Sequence, residues 1–179
     1  MRLFIAVDIS EELKEEILKL EKEIQHFQKM SIVPKENLHI TVKFLGEVDD
    51  QNKIINALRN VEFEAFNMTT DKTGFFPNDN FINVAWVGFD ESKAMLDLQR
   101  LIDNSLSELF KKENNYIPHV TFARIKWLSP SEKRILQDLK SEGISKKTFK
   151  ISSFKLVKST LTETGPMYEA LKEFKAKGL

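Results

Sequence analysis

The sequence predicts an α+β fold built as two similar lobes whose sheets line a central groove. Three observations predict it. Amphipathic helical stretches alternate with short apolar runs along all 179 residues. The run Leu38-His39-Ile40-Thr41-Val42 is echoed 80 residues later by Pro118-His119-Val120-Thr121-Phe122, each echo between helical stretches. No low-complexity linker separates the halves. A single domain over residues 1–179 is therefore expected, with both lobes in one folding unit.

Residues 3–8 form a nearly continuous apolar strand, as burial on both faces requires. Ser10 caps a helix whose Glu11 and Glu12 sit at the positive end of its dipole. Leu13, Ile17, Leu20, Ile24 and Phe27 recur at helical spacing as its buried stripe. His26 falls off that stripe and reads as solvent-facing. A polar turn at Lys35-Glu36-Asn37 leads into the first His strand, residues 38–45, which Gly46 ends. Asp49 or Asp50 caps a second helix that buries Ile54, Ile55 and Leu58. Residues 63–70 read as a strand. Residues 73–80, with their Gly, Pro and Asn content, read as a loop whose Phe75 and Phe76 anchor in the core or line a site.

Residues 82–89 are a strand, and residues 91–112 a long helix with Met95, Leu98, Leu101, Ile102, Leu106, Leu109 and Phe110 inward. Pro118 opens the second His strand, where a missing backbone donor is tolerated. Ser129-Pro130-Ser131-Glu132 combines a cap, a first-position proline and a capping box. That helix turns Ile135, Leu136 and Leu139 inward and stops near Gly143. Residues 148–159 alternate as one strand, residues 162–165 turn, and residues 166–175 read as a last short helix with Tyr168, Leu171 and Phe174 on one side.

Composition narrows the chemistry. With 41% hydrophobic residues and 14 Phe, the chain can bury a sizeable core. Acidic and basic residues number 27 each, but residues 111–158 hold 12 Lys/Arg against 4 Asp/Glu, a local excess that suits a polyanion or a solvated face equally. There is no cysteine, which excludes disulfides and thiolate chemistry. No apolar run approaches the ~20 residues of a membrane span. The first residues read as a strand and not as a signal peptide, so a cytoplasmic protein without membrane association is expected.

Two of the three histidines lie in the echoed runs. In an extended strand residues i and i+2 share a face. His39 and Thr41 therefore project together, as do His119 and Thr121, with Ile40, Val42, Val120 and Phe122 behind. A single such run is an ordinary half-buried strand; two copies in a chain this poor in histidine point to chemistry. Two imidazoles facing one cleft supply an acid and a base near neutrality, and threonine hydroxyls donate to phosphate oxygens. That kit hydrolyses a phosphodiester without a metal or other cofactor. A metal site is not expected, because neither run has Cys, Asp or Glu within two residues of its histidine.

These pieces resemble a known family. Arg2-Leu3-Phe4-Ile5-Ala6-Val7-Asp8, Asn37-Leu38-His39-Ile40-Thr41-Val42-Lys43-Phe44-Leu45-Gly46-Glu47-Val48, Val84-Ala85-Trp86-Val87-Gly88, Pro118-His119-Val120-Thr121-Phe122-Ala123-Arg124 and the tail from Leu156 to Leu171 look like the two-histidine phosphoesterases, in particular the RNA 2′,3′-cyclic phosphodiesterases, also called 2′-5′ RNA ligases. The resemblance implies a bilobal pseudo-two-fold fold, with antiparallel sheets lining the cleft and helices outside. It implies metal-independent opening of a terminal RNA 2′,3′-cyclic phosphate to a 2′-phosphate, with His39 as general acid and His119 as general base. Thr41, Thr121 and Arg124 would bind substrate. It also implies 2′-5′ ligation as related chemistry. RNA ends such as tRNA fragments are the expected partners, and a monomer is expected. Strict alternation from His119 sends Arg124 to the opposite face, so its role requires a bulge or a reach around the rim, or does not carry over. Two alternatives stand beside this reading: a non-catalytic protein that grips RNA ends, and a phosphodiesterase for a small cyclic nucleotide.

Overall fold

A computed structural model describes all residues, Met1–Leu179. The elements run β1 (Arg2–Asp8), α1 (Glu11–Ile24), β2 (Met30–Ile32), a 3₁₀ turn (Lys35–Asn37), β3 (His39–Glu47), α2 (Gln51–Leu58), β4 (Phe66–Pro77), β5 (Ile82–Phe89), α3 (Lys93–Ser105), β6 (His119–Ile125), α4 (Pro130–Glu142), β7 (Thr148–Ile151), β8 (Ser153–Thr162) and β9 (Gly165–Lys175). The strands pair antiparallel in the order β7-β4-β5-β6-β3-β1-β8-β9, with β2 on β6. Two four-stranded halves thus meet at β3 and β6, the two His strands, through one registered pair, Ile40 opposite Val120.

The halves of the sheet are not the halves of the chain. One is built from the two ends of the sequence (β1, β3, β8, β9) and the other from its middle (β4 to β7). Only Ser152 separates β7 from β8, so what reads as one alternating strand is two, at opposite reaches of the sheet. The sheet must curl for this to happen, and Ala176 N–H closes the seam on Ser152 O at 2.8 Å.

All four helices contribute to a single core cluster with Ile40, Val120, Leu3, Ile5, Val7, Ala85 and Val87. The helices cross between halves: α1 lies against β6 and α4, and α3 against β3 and α2. The opposite face carries only a small cluster of Phe4, Ala6 and Val157, with Tyr168 packed against it. No helix is long and apolar enough to cross a membrane.

The caps form as the sequence predicts. Ser10 accepts from Leu13 N–H, Asp50 from Asn52 N–H, and Ser129 with Glu132 makes the reciprocal capping box. His26 is exposed on the turn after α1.

Three further expectations are corrected. Residues 166–175 are not a helix but β9, paired along its length with β8. Their three-residue spacing arises because Leu171 is skipped in the register, and this bulge shifts the strand's phase between Tyr168 on one face and Phe174 on the other. Thr73-Gly74-Phe75-Phe76-Pro77 is strand, not loop; only residues 78–80 turn. The helix over 91–112 stops at Ser105, and Leu101 and Leu109 are exposed. It stops because the chain folds back, bringing Lys111 O and Glu113 N–H to a buried ion pair between Lys43 and Asp103. The three-residue β2, Met30–Ile32, is not read from the sequence because it is too short to stand out from the turn that follows it.

Candidate active site

The site lies on the face turned away from the helices, where the halves meet. Around the Ile40–Val120 pair the antiparallel register sets His39 beside Thr121 and Thr41 beside His119. Both apolar partners of that pair are fully buried, so the four polar side chains share the other face.

Each ring is oriented in the same way. His39 Nδ1 lies 2.6 Å from Asn37 O, and His119 Nδ1 lies 2.7 Å from Ile117 O. A carbonyl only accepts, so both Nδ1 atoms carry hydrogen and both Nε2 atoms are left for chemistry. His39 Nε2 stands 2.8 Å from Thr41 Oγ1. The carbonyls are themselves anchored. Asn37 Nδ2 donates to Pro166 O on β9 at 2.9 Å, and Tyr116, beside Ile117, donates its hydroxyl to Thr41 O at 3.1 Å.

Aromatic walls flank both rings. Phe4 and Tyr168 sit with centroids 5.0 and 5.4 Å from His39; Phe76 and Trp86 sit 5.0 and 6.2 Å from His119. The indole lies flat across β4 and β5 because both neighbours are glycine. A Cβ at Gly74 would collide with the Trp86 ring, and one at Gly88 would stand only 2.7 Å from it. Gly74 thus marks a packing requirement within a strand. Of the two adjacent phenylalanines, Phe75 goes to the core and Phe76 to the histidine.

A bulge follows each motif. On β3 the register passes from Thr41 opposite Ala6 to Lys43 opposite Ile5, skipping Val42. On β6 it passes from Thr121 opposite Trp86 to Ala123 opposite Ala85, skipping Phe122. Two consecutive residues therefore point to the core, and the alternation resumes one step out of phase. The result turns Arg124 to the histidine face. Its charge acts on both imidazoles. At the equivalent place on β3 stands Phe44, an exposed aromatic that the residue reading passed over. Aligning the two runs would have revealed it, since each third residue after the threonine is a bulky side chain.

Burial pushes both imidazoles below their ordinary value. The Asn37 carbonyl and the Asp8 carboxylate pull His39 back up, while the charges of His119 and Arg124 push it down. For His119 the Ile117 carbonyl raises and Arg124 lowers, and no carboxylate contributes. The difference has a structural cause: Asp8 is registered opposite His39, whereas Gly88 is opposite His119. No three His, Cys, Asp or Glu side chains cluster as a metal site would need.

An antiparallel sheet with paired His-x-Thr strands, bulged alike and opening on one face, is the architecture of a two-histidine phosphoesterase. The model of the family described as LigT like Phosphoesterase matches twice, over residues 7–86 and 87–168, one His-x-Thr run in each match. The chain belongs to this family. A Methanocaldococcus jannaschii protein named RNA 2′,3′-cyclic phosphodiesterase is 40% identical over 177 residues, covering 97% of this chain and 100% of the relative. One of the same name from Thermotoga maritima is 33% identical, covering 99% and 97%. Among solved structures, TT0787 of Thermus thermophilus superposes with a TM-score of 0.82 at 25% identity over 99% of each chain. Escherichia coli LigT, crystallised with 3′-AMP, shares the fold with a TM-score of 0.78 at 21% identity over 98% of each.

Proposed function

We propose that this chain hydrolyses the 2′,3′-cyclic phosphate at the end of an RNA to a 2′-phosphate, without a metal. The observation that carries the reading is the pair of Nε2 atoms freed by identical Nδ1 hydrogen bonds on one face of the sheet. The names of the M. jannaschii and T. maritima relatives support the substrate.

In the proposed reaction His119 takes a proton from the attacking water as the new P–O bond forms. The P–O3′ bond breaks, and His39 gives its Nε2 proton to the departing 3′ oxygen. Asp8 favours the charged form of His39, which fits the acid; His119, without a carboxylate, fits the base. Thr41, Thr121 and Arg124 donate to the non-bridging oxygens, Arg124 meeting the charge that builds in the transition state. Phe44, at the matching place on β3, offers its ring to the terminal base. A 5′-hydroxyl in place of water would use the same groups to form a 2′-5′ linkage.

The test is incubation with an RNA oligonucleotide ending in a 2′,3′-cyclic phosphate, in the presence of chelator, beside His39→Ala and His119→Ala. A 2′-phosphate product from the parent alone is expected. Unchanged turnover in either variant, or activity lost to the chelator, would overturn the mechanism. Recovery of a joined 2′-5′ product when a 5′-hydroxyl RNA is added would extend it to ligation.

A further inference from the structure

The cleft does not end at Arg124. The β2–β6 ladder continues from Ser31 opposite Arg124 to Met30 opposite Ile125. One step further Lys126 N–H donates to Lys29 O at 2.8 Å, so these two lysines face each other on the side to which Arg124 already points. Trp127 follows, its backbone N–H also directed at Lys29 O, and the residue is 61% exposed. Many lysines of this chain are engaged by a carboxylate: Lys35 by Glu11 and Glu15, Lys140 by Asp79, Lys155 by Asp8. Lys29, Lys126 and Arg124 have none within 4.0 Å.

The pseudo-equivalent exit, past Phe44 on β3, is the opposite in character. It runs into Glu47, Asp49 and Asp50, with the chain's own amino terminus on Glu47 and Arg2 across the register from it. A polyanion entering the cleft is therefore drawn along the Lys29–Lys126 end in preference to the other.

From this juxtaposition we infer that the RNA strand leading up to the reacting nucleotide leaves the cleft over the β2–β6 ladder, its phosphates on Lys29 and Lys126 and a base on Trp127. Two unpaired ammonium groups in line with a phosphate-facing arginine, and an exposed indole on the next residue, make the combination that single-stranded nucleic acid favours: cations for the backbone and a flat ring for a base of any identity. This rests on the phosphodiesterase reading for what sits at the histidines, but the track is a separate surface.

The experiment compares the parent with the variant Lys29→Gln, Lys126→Gln, Trp127→Ala on two substrates, adenosine 2′,3′-cyclic phosphate and a ten-nucleotide RNA ending in the same group. All three residues are exposed, and an unchanged melting temperature checks the fold. The mononucleotide ends inside the cleft, so its kcat/KM stays within about twofold. For the oligonucleotide KM rises ~tenfold or more. The slope of log(1/KM) against log salt flattens by ~1.4, about 0.7 for each phosphate contact removed from a single strand. An oligonucleotide KM and salt slope equal to the parent's would overturn the inference. Should the parent turn over neither substrate, the phosphodiesterase reading fails instead. Fluorescence anisotropy with the same oligonucleotide then decides the track alone: weaker binding by the variant supports it, equal binding ends it.

Discussion

The His39 and His119 halves of the cleft differ less in scaffold than in neighbours. Both histidines are held by a carbonyl two residues back, both threonines follow at the same spacing, and both strands bulge at the next residue. Around this shared frame the positions diverge. Asp8 opposes one ring and Gly88 the other; Phe44 stands where the second half has Arg124; buried Lys43 stands where it has Ala123. A repeated scaffold holds the two imidazoles alike, and in the proposed reaction their differing neighbours give them different tasks. Reaction at a phosphorus atom needs that difference, since two equally charged or two equally neutral rings cannot serve as acid and base together.

The comparison breaks most severely at the rings themselves. His39→Ala and His119→Ala should each lower kcat ~10²–10⁴-fold with the melting temperature kept, and the double variant should be little worse than either single one. Equal loss from both sides would show that neither half works alone.

At the next position the halves should part. Lys43→Ala strands the Asp103 carboxylate, which is held low although burial raises it, because the Lys43 ammonium and the Glu113 N–H outweigh the burial. A loss of ~3–5 kcal/mol in urea unfolding is expected, typical of a broken buried pair. The counterpart, Ala123→Ser, has no such partner to orphan and should cost markedly less.

Arg124→Ala should lower kcat/KM ~10²-fold, with partial recovery in Arg124→Lys, because a single ammonium cannot reproduce the guanidinium fork. Phe44→Ala should cost ~tenfold, mostly in KM, as expected when one base loses its stacking surface, and Phe44→Tyr should be close to neutral.

The smallest change concerns pH. Both imidazoles lie below their ordinary value, so the bell of kcat/KM should centre on the acid side of 6.5. Asp8 raises His39, so Asp8→Asn lowers it further. The falling limb, where the acid loses its proton, should move to lower pH, while the rising limb set by His119 stays in place. A several-fold loss at pH 7 follows. Movement of the rising limb instead would reverse the assignment of acid and base.

Much of this was legible in the residues. The two His strands, the first helix with its stripe, and the capping box at Ser129 are local patterns, and local physics decides them. What escaped depends on contacts made far along the chain. Arg124's direction is set by the skipped residue Phe122, visible only as a pair of adjacent apolar side chains. β9 imitated a helix because a bulge at Leu171 converts a spacing of two into three. The burial of Lys43 could not be read locally because its partner, Asp103, lies 60 positions away. Gly74 read as a loop breaker because nothing nearby announces that an indole will cover it.

The crossing of the helices has a last consequence. Since α1 floors the strand of His119 and α3 floors the strand of His39, neither half owns a complete interior. Cut between β4 and β5, the chain would yield two pieces, each exposing the apolar side of a helix and the underside of a strand meant for the other. Such fragments should be insoluble apart and recover together as a complemented pair.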